Sequence, residues 1–570
     1  MRRRGSRAVV GAWAGGFVLG GLARAQSELW SVDGAVAGEQ FGAAVAFCGD
    51  LDGDGRSEVA VGAPLGASGF GAVRVLSGAN GALVWQSTGP SSGSRCGAAL
   101  ASTSDWNGDG KRELVVGAWL ANAPGRAGAG LVRVHSGADG AVLFEAFGDS
   151  AGDHLGWTVA SLGDLDQDGR DEFAAGAVDD DDGGGSAGSV RVYASVSGAT
   201  RATLHGTAPL MLYGSAIAAL PDVDGDLVPD FAVGGPFAAS ATTQAGVVRL
   251  HSGATSAVLR TWNGTTNRDA FGSALCALGD VDGDGAPDLA VGARQSSATG
   301  PGYVRVLSTA ASALAPVFEL AAPATWRAFG LRIANAGDVD FDGRADLWIG
   351  APETNTTATL AGAARLVSGA TGAVLRDVLG TTSSERLGGA VDGGRDADGN
   401  GAPDLVVGAS GANALGANTG RARVLSGNDA PPPPPAQHAP LEADVSVVSI
   451  AAGGSQTLAL RAGATNAGRR FVLLGSLHGT DPGFGVDGLH VPLQPDRYFR
   501  LIARHPRLSP LEPARGLLDG AGEAVATFRL ARPWSGGLFV GRTFHHAYLV
   551  RGADGDFVFA SNAVSCVIVP

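Results

Sequence analysis

The sequence predicts an all-β protein: a seven-bladed β-propeller closed by an N-terminal strand, followed by a C-terminal β-sandwich-like domain. Three observations carry this expectation. Carboxylate clusters begin at Asp50, Asp105, Asp164, Asp222, Asp280, Asp338 and Asp396, spaced by 55, by 59 and then four times by 58 residues. Each cluster keeps a glycine in fixed register on either side. The last copy lacks its final strand, and a matching strand stands alone at the other end of the array.

The register is strict. Nine residues before each cluster lies an apolar residue followed by Gly: Phe41-Gly42, Cys96-Gly97, Leu155-Gly156, Tyr213-Gly214, Phe271-Gly272, Phe329-Gly330 and Leu387-Gly388. Twelve residues after each stands Gly62, Gly117, Gly176, Gly234, Gly292, Gly350 or Gly408. A fixed period of this length marks a repeat architecture. In the fifth copy, apolar runs cover 271–278, 288–293, 303–307 and 317–320, with turn residues between them and no helical period. Each copy therefore reads as a four-stranded antiparallel sheet. One such sheet cannot bury both faces, whereas seven packed radially can, leaving only short, protected edges.

The ends of the array support a ring. The seventh copy has a third strand at 422–425 but then meets prolines where a fourth should follow. Glu28-Leu29-Trp30-Ser31-Val32 precedes Phe41 much as Leu259-Arg260-Thr261-Trp262 precedes Phe271, so the N-terminal strand can complete blade seven. The propeller is expected over 26–430. A stiff proline spacer follows at 431–439, where five consecutive prolines extend at about 3.1 Å per residue. Residues 440–570 show alternating runs at 445–450, 457–461, 471–474, 498–502, 524–530, 539–541, 547–550, 557–560 and 566–569, which suggests a sandwich.

Residues 1–25 read as a secretory signal: Arg2, Arg3, Arg4 and Arg7, an apolar stretch over 8–22, then Ala23-Arg24-Ala25 as a cleavage site. An uncleaved anchor is the alternative, but the stretch is short and glycine-rich for a span. Cleavage would remove five arginines and no acid, taking the net charge from −14 to −19. No later segment has the 18 or so consecutive apolar residues of a membrane helix. The product is expected to be secreted, periplasmic or at the cell surface, with no membrane insertion after cleavage. Its acidity is opposite to what a nucleic-acid partner needs. The 91 glycines follow no G-X-Y period, and 45% hydrophobic residues exclude wholesale disorder. Cys48, Cys96, Cys276 and Cys566 lie too far apart for a stapled mini-fold or a zinc site. They read as buried thiols, with one or two incidental bridges as the alternative.

The fifth acidic loop is Asp280-Val281-Asp282-Gly283-Asp284-Gly285-Ala286-Pro287-Asp288. Side-chain oxygens at positions 1, 3, 5 and 9, with the carbonyl of position 7, can converge on one hard cation, and Gly at position 6 permits the tight turn. Carboxylates about 4 Å apart with no cation between them repel by roughly 1 to 4 kcal/mol per pair. Calcium suits this oxygen set better than magnesium, which demands a strict octahedron. A solvated acidic hairpin is the bland alternative, which seven repetitions of one oxygen spacing disfavour. Position 12 is always Val, Ala or Ile, never the bidentate Glu of an EF-hand, so each loop runs into a buried strand.

The candidate ligands are Asp50, Asp52, Asp54, Arg56 and Glu58 in loop one; Asp105, Asn107, Asp109, Lys111 and Glu113 in loop two; and Asp164, Asp166, Asp168, Arg170 and Glu172 in loop three. Loops four and five offer Asp222, Asp224, Asp226, Val228 and Asp230, then Asp280, Asp282, Asp284, Ala286 and Asp288. Loops six and seven offer Asp338, Asp340, Asp342, Arg344 and Asp346, then Asp396, Asp398, Asn400, Ala402 and Asp404, the seventh position always through its carbonyl. These loops hold 27 of the 55 acids, so the negative charge says little about partners.

Phe-Gly, the acidic loop and Gly-Ala-Pro, complete at Gly62-Ala63-Pro64 and Gly350-Ala351-Pro352, resemble the FG-GAP repeats of integrin α-subunit propellers and of many secreted bacterial proteins. The resemblance runs from Glu28 to about Asp429. It implies calcium in the loops between strands one and two, and partners on the opposite rim. Copy four departs with Leu227 in place of Gly, and copies two and seven carry Asn107 and Asn400. The C-terminal part more loosely resembles an uncharacterised β domain at the ends of large secreted bacterial proteins, through Ala467-Gly468-Arg469, Leu473-Leu474-Gly475-Ser476 and Ser561-Asn562-Ala563-Val564.

Other side chains carry less. His135 and His251 hold the strand position of Leu76 and Leu307 in sister copies and read as structural. His545 and His546 would point to opposite faces of a strand. The run Asp179 to Asp182 reads as a solvated turn. Trp119, Phe237 and Trp326 fall in or beside loops of the rim opposite the acidic turns, as contact aromatics or as buried anchors. No nucleophile motif or phosphate loop is present, so no enzyme is expected. The sequence points to a calcium-binding binding or adhesion module whose partner is an extracellular protein or glycan. An enzyme of polysaccharide or phosphoester chemistry with a rim-loop site, and a passive envelope or matrix component, are the alternatives.

Overall fold

The computed structural model describes residues 28–427, apart from Val196 and 240–243, 296–299 and 311–315; beyond them it describes strands and a few adjoining residues between Leu441 and Val569. The expected signal at 1–25, the proline run and the runs expected at 498–502 and 539–541 lie outside these residues. Seven four-stranded antiparallel sheets succeed one another as a β-propeller. Blade one consists of Ala44–Gly49, Glu58–Ala63, Ala72–Leu76 and Leu83–Thr88. Blade five, at Phe271–Gly279, Asp288–Ala293, Tyr303–Ser308 and Phe318–Ala321, follows the runs expected of it.

The ring closes as the ends of the array suggest. Blade seven takes Leu387–Arg395, Asp404–Ala409 and Arg421–Leu425 from its own copy and Glu28–Asp33 from the N-terminal end. Glu28–Asp33 runs antiparallel to Arg421–Leu425, with Trp30 opposite Val424 and Asp33 opposite Arg421.

The second strand of every blade is buried along its whole length. Alternate residues of a strand face opposite sides of the sheet, and here both sides meet a neighbouring blade. Val59 and Val61 pack with Val406 and Val424 of blade seven, whereas Ala60 packs with Leu114 and Val116 of blade two. Each space between blades is thus a core of its own.

The two glycines of the repeat meet across these spaces. A Cβ added at Gly62 would stand 1.9 Å from the carbonyl oxygen of Gly97 in the next blade, and one at Gly408 would stand 2.0 Å from that of Gly42. No side chain fits there, which explains why both glycines recur in step and shows the same contact sealing the ring.

A sevenfold feature escaped the sequence reading. The middle of every third strand is arginine: Arg74, Arg133, Arg191, Arg249, Arg305, Arg365 and Arg423. Their partners differ from blade to blade, Glu39 for Arg74, Glu145 for Arg133 and Asp377 for Arg365 among them.

The C-terminal strands form sheets of their own. Leu441–Ala443, Ser455–Arg461, Glu523–Arg529 and Leu511–Glu512 make one, and a second is built on Thr543–Arg551, flanked by Arg470–Ser476 and Val564–Val569.

Candidate functional site

The seven acidic loops share one hydrogen-bond scheme. The first-position carboxylate accepts the N–H of position 6 in every blade, at 3.0 Å from Gly55 to Asp50 and 2.7 Å from Gly401 to Asp396. Position 3 accepts from position 5, and position 5 from position 7, as in Asp54 to Asp52 at 3.1 Å and Arg56 to Asp54 at 2.9 Å. This wraps the loop around its own carboxylates and requires a left-handed residue at position 6. Leu227 takes φ +72° there and still donates to Asp222 at 2.9 Å. Loop four, the most divergent in sequence, therefore keeps the geometry, with a strain of about 1–3 kcal/mol.

Position 4 is left-handed as well. It is usually Gly, but Gln167 and Phe341 adopt φ +68° and +60° at this point. The gap between the third and fifth carboxylates is thereby a second tight bend.

The ninth-position acid is the buried floor. Glu58, Glu113, Glu172, Asp230, Asp288, Asp346 and Asp404 all have no measurable exposure, on the first residue of the second strand. One oxygen accepts the N–H of loop position 2, as from Val281 to Asp288 at 2.7 Å and Ala397 to Asp404 at 2.8 Å. In five blades the other oxygen accepts a backbone N–H from the turn after strand three, for example from Gly253 to Asp230 at 3.0 Å. In blades two and five that second oxygen, Glu113 Oε2 or Asp288 Oδ1, is buried without a hydrogen-bond partner. An orphaned carboxylate oxygen is costly unless something positive meets it.

The clusters are electrostatically unbalanced. In loops one and three, oxygens of Asp50, Asp52 and Glu58, and of Asp164, Asp166 and Glu172, lie within 4.8 Å of one another, as do those of Asp105, Asp109 and Glu113. Burial pushes the ninth-position groups up, and neighbouring carboxylates add to it: Glu58, Glu113 and Asp404 to about 7, Asp346 to about 8. Asp338, at position 1 of loop six, rises to about 6 for the same two reasons. Convergent oxygens, an orphaned buried acceptor and raised proton affinity are what an all-oxygen cradle for a hard divalent cation shows.

The opposite rim breaks the sevenfold pattern between blades two and three. Trp157, directly after the Leu155-Gly156 pair, takes a place held by Ala, Ser, Leu or Gly in the other blades. It is 43% exposed, and no other tryptophan among the described residues is exposed. Trp119, replacing the Pro of Gly-Ala-Pro, packs edge-on to it at 5.0 Å and to His154 at 5.1 Å. His154 Nδ1 bonds Asp179 at 2.7 Å, and beside this pair Arg191 gathers Asp149, Asp153 and Asp180. The expected solvated turn at Asp179 to Asp182 is thus partly buried and paired. Trp157 escaped the sequence reading, although comparing the seven copies position by position would have exposed it.

The other two aromatics separate. Trp326 is only 3% exposed and lies under Arg365 at 4.6 Å, as a buried anchor, while Phe237 is half-buried with Arg294 over its ring. His135 and His251 are buried and bonded to the carbonyls of Gly140 and Ser256. His546 is buried against Phe528, and the side chain of His545 lies outside the described residues. Cys48, Cys96 and Cys276 are buried free thiols; the Cys566 side chain lies outside the described residues.

The FG-GAP repeat family model matches residues 41–76 and 271–307. Integrin alpha-5 of Xenopus laevis is 32% identical over 180 residues, covering 29% of this chain and 17% of that one. Integrin alpha-V of Gallus gallus is 29% identical over 219 residues, covering 36% and 20%. The chain thus spans about a fifth or less of the length of these relatives. Among solved structures, the Dos1 propeller aligns at TM-score 0.38 and 12% identity, over 66% of this chain and 81% of that one. BBS1N in complex with ARL6DN aligns at TM-score 0.43 and 10% identity, over 70% and 96%. The chain carries FG-GAP repeats in an integrin α-like seven-bladed propeller. No helix among the described residues is long and apolar enough to cross a membrane.

Proposed function

We propose that this chain is a secreted, calcium-stabilised binding module of the adhesion type. Its partner is an extracellular protein or glycan, engaged on the rim opposite the acidic loops. The observation that carries the reading is a contrast between the two rims. One repeats a single oxygen cradle seven times, as a structural device would, while the other departs from the repeat at Trp119, His154 and Trp157. A partner need touch only a few blades, so function falls where uniformity ends.

Calcium in the loops would supply positive charge to carboxylates that otherwise repel one another. The residues at positions 1, 3, 5 and 9 would hold it together with the carbonyl of position 7. The chain's own part is to fold each loop around its acids and to anchor it through the ninth-position carboxylate to the second strand, which lies between two blades.

The test is a glycan and extracellular-protein binding screen with the wild type and with Trp119→Ala and Trp157→Ala. Loss of binding in both variants supports the reading. Binding that survives both changes but disappears when residues 431–570 are removed would place recognition in the C-terminal part instead.

A further inference from the structure

The seventh position of each loop offers its carbonyl to its own cradle, which frees its side chain to reach elsewhere. In four blades that side chain is basic: Arg56, Lys111, Arg170 and Arg344. Three of these reach the loop of the preceding blade. Lys111, the single lysine of the chain, donates from Nζ to the Asp50 carbonyl at 3.3 Å. Arg344 donates from Nη1 to the Asp280 carbonyl at 2.7 Å and stands 3.8 Å from Asp280 Oδ1. Arg56 crosses the ring closure, its Nε 3.2 Å from where a Cβ on Gly399 would stand. Arg170 holds the corresponding sequence position in blade three, with no side-chain hydrogen bond into loop two among the described residues.

Blades four, five and seven carry Val228, Ala286 and Ala402 at this position. Loops one, five and seven therefore hold a side-chain cation lent by the next blade. Loop three holds one from its own blade, Arg201, whose Nη1 stands 3.8 Å from Asp166 Oδ2 and whose Nη2 donates to the Leu165 carbonyl at 3.0 Å. Loops four and six face an uncharged neighbour. Exposed ion pairs of this kind contribute little to stability. A divalent ion entering the same cradle is another matter. Two charges on the ion and one on the side chain, about 6 Å apart in water, repel enough to weaken binding roughly tenfold.

We propose that the basic residue at position 7 lowers the calcium affinity of the preceding blade's loop, so that loops four and six, which have no such charge beside them, fill before loops one, five and seven. The inference rests on the calcium reading above and adds a rule for which loops respond to calcium concentration. Loop five shows that a lent cation does not replace the metal, because Asp288 Oδ1 stays without a partner although Arg344 is present.

Calcium titration of the full chain by calorimetry and by equilibrium dialysis tests it. The wild type should show two classes of site separated by about tenfold. Lys111→Met and Arg344→Met keep the stem and remove the charge, so each should move one site from the weak to the tight class. Ala286→Lys should move one site, loop four, the other way. The change is to a partly exposed residue, which keeps the test independent of whether the Met variants fold. A wild type that binds no calcium would overturn the reading underneath. Binding by the wild type, with isotherms unchanged in all three variants, would overturn this inference alone.

Discussion

Asp33 and Arg421, 388 positions apart, form a two-pronged ion pair across the seam of the ring: Nε donates to Oδ1 at 2.6 Å and Nη2 to Oδ2 at 3.1 Å. Arg423 and Glu28 pair on the same two strands at 2.6 Å. Both pairs are about one-third exposed on at least one partner, so each fixes register more than it stabilises, and Arg421→Ala should cost about 1 kcal/mol or less. Trp30 carries the seam's energy. It is buried and donates Nε1 to the Gly78 carbonyl of blade one at 2.7 Å. Trp30→Ala should therefore cost about 3–5 kcal/mol. Deleting 26–34 should bare the edge of Arg421–Leu425 and give aggregation or loss of cooperative unfolding. Chemical denaturation of the three proteins checks this ranking, and a soluble, equally stable deletion would mean that the seam is dispensable.

Calcium should raise the melting temperature. Sites with dissociation constants of about 0.1–1 mM each add roughly 0.4–1.4 kcal/mol at millimolar calcium, and several acting together shift the midpoint by several degrees. Melting scans in calcium and in chelator measure it. An unchanged midpoint would remove calcium from the account.

Without metal, the pH dependence has a definite sign. The ninth-position carboxylates have folded-state pKa values raised above those of the unfolded chain, to about 7 for Glu58 and Asp404 and about 8 for Asp346. A raised carboxylate favours the folded state fully below its unfolded value near 4, and that contribution is lost as pH rises through the folded value. In chelator, the midpoint should fall as pH rises from about 4 to about 8 and level off above; with calcium bound, the ionised cluster is compensated and the slope should flatten. Parallel slopes in the two media would mean that these acids are not where calcium acts.

The ring was legible because its signals are periodic and local: glycine register, loop spacing and an orphan strand can all be counted along one dimension. What escaped depends on contacts between blades or on which symmetry an individual residue breaks. The third-strand arginines recur seven times, but their acids come from changing places, Glu39 before strand one for Arg74 and Asp377 on strand four for Arg365. The ninth-position acid looked like one more ligand. Its burial, and its bond to a turn some twenty residues on, as from Gly369 to Asp346 at 3.0 Å, appear only once strand three folds back beside the loop. Position 4 hid its left-handed backbone because Gln167 and Phe341 adopt it without being glycine.

The rim aromatics separate a binding role from a packing role. Trp326 is buried between Phe329 and the Arg365 guanidinium, so Trp326→Ala should destabilise the propeller by about 3–5 kcal/mol and affect a partner only through the fold. Trp157 has nearly half its surface in water, and its removal should alter stability by about 1 kcal/mol or less. Trp119 lies between the two cases, since its edge contacts with His154 and Trp157 would be lost together, at about 1–2 kcal/mol. Denaturation midpoints measured beside partner affinity therefore give each residue two coordinates. Trp157 should fall at large affinity loss with little stability loss, and Trp326 at the reverse. Trp157→Ala binding its partner as tightly as the wild type would move the contact surface away from blades two and three.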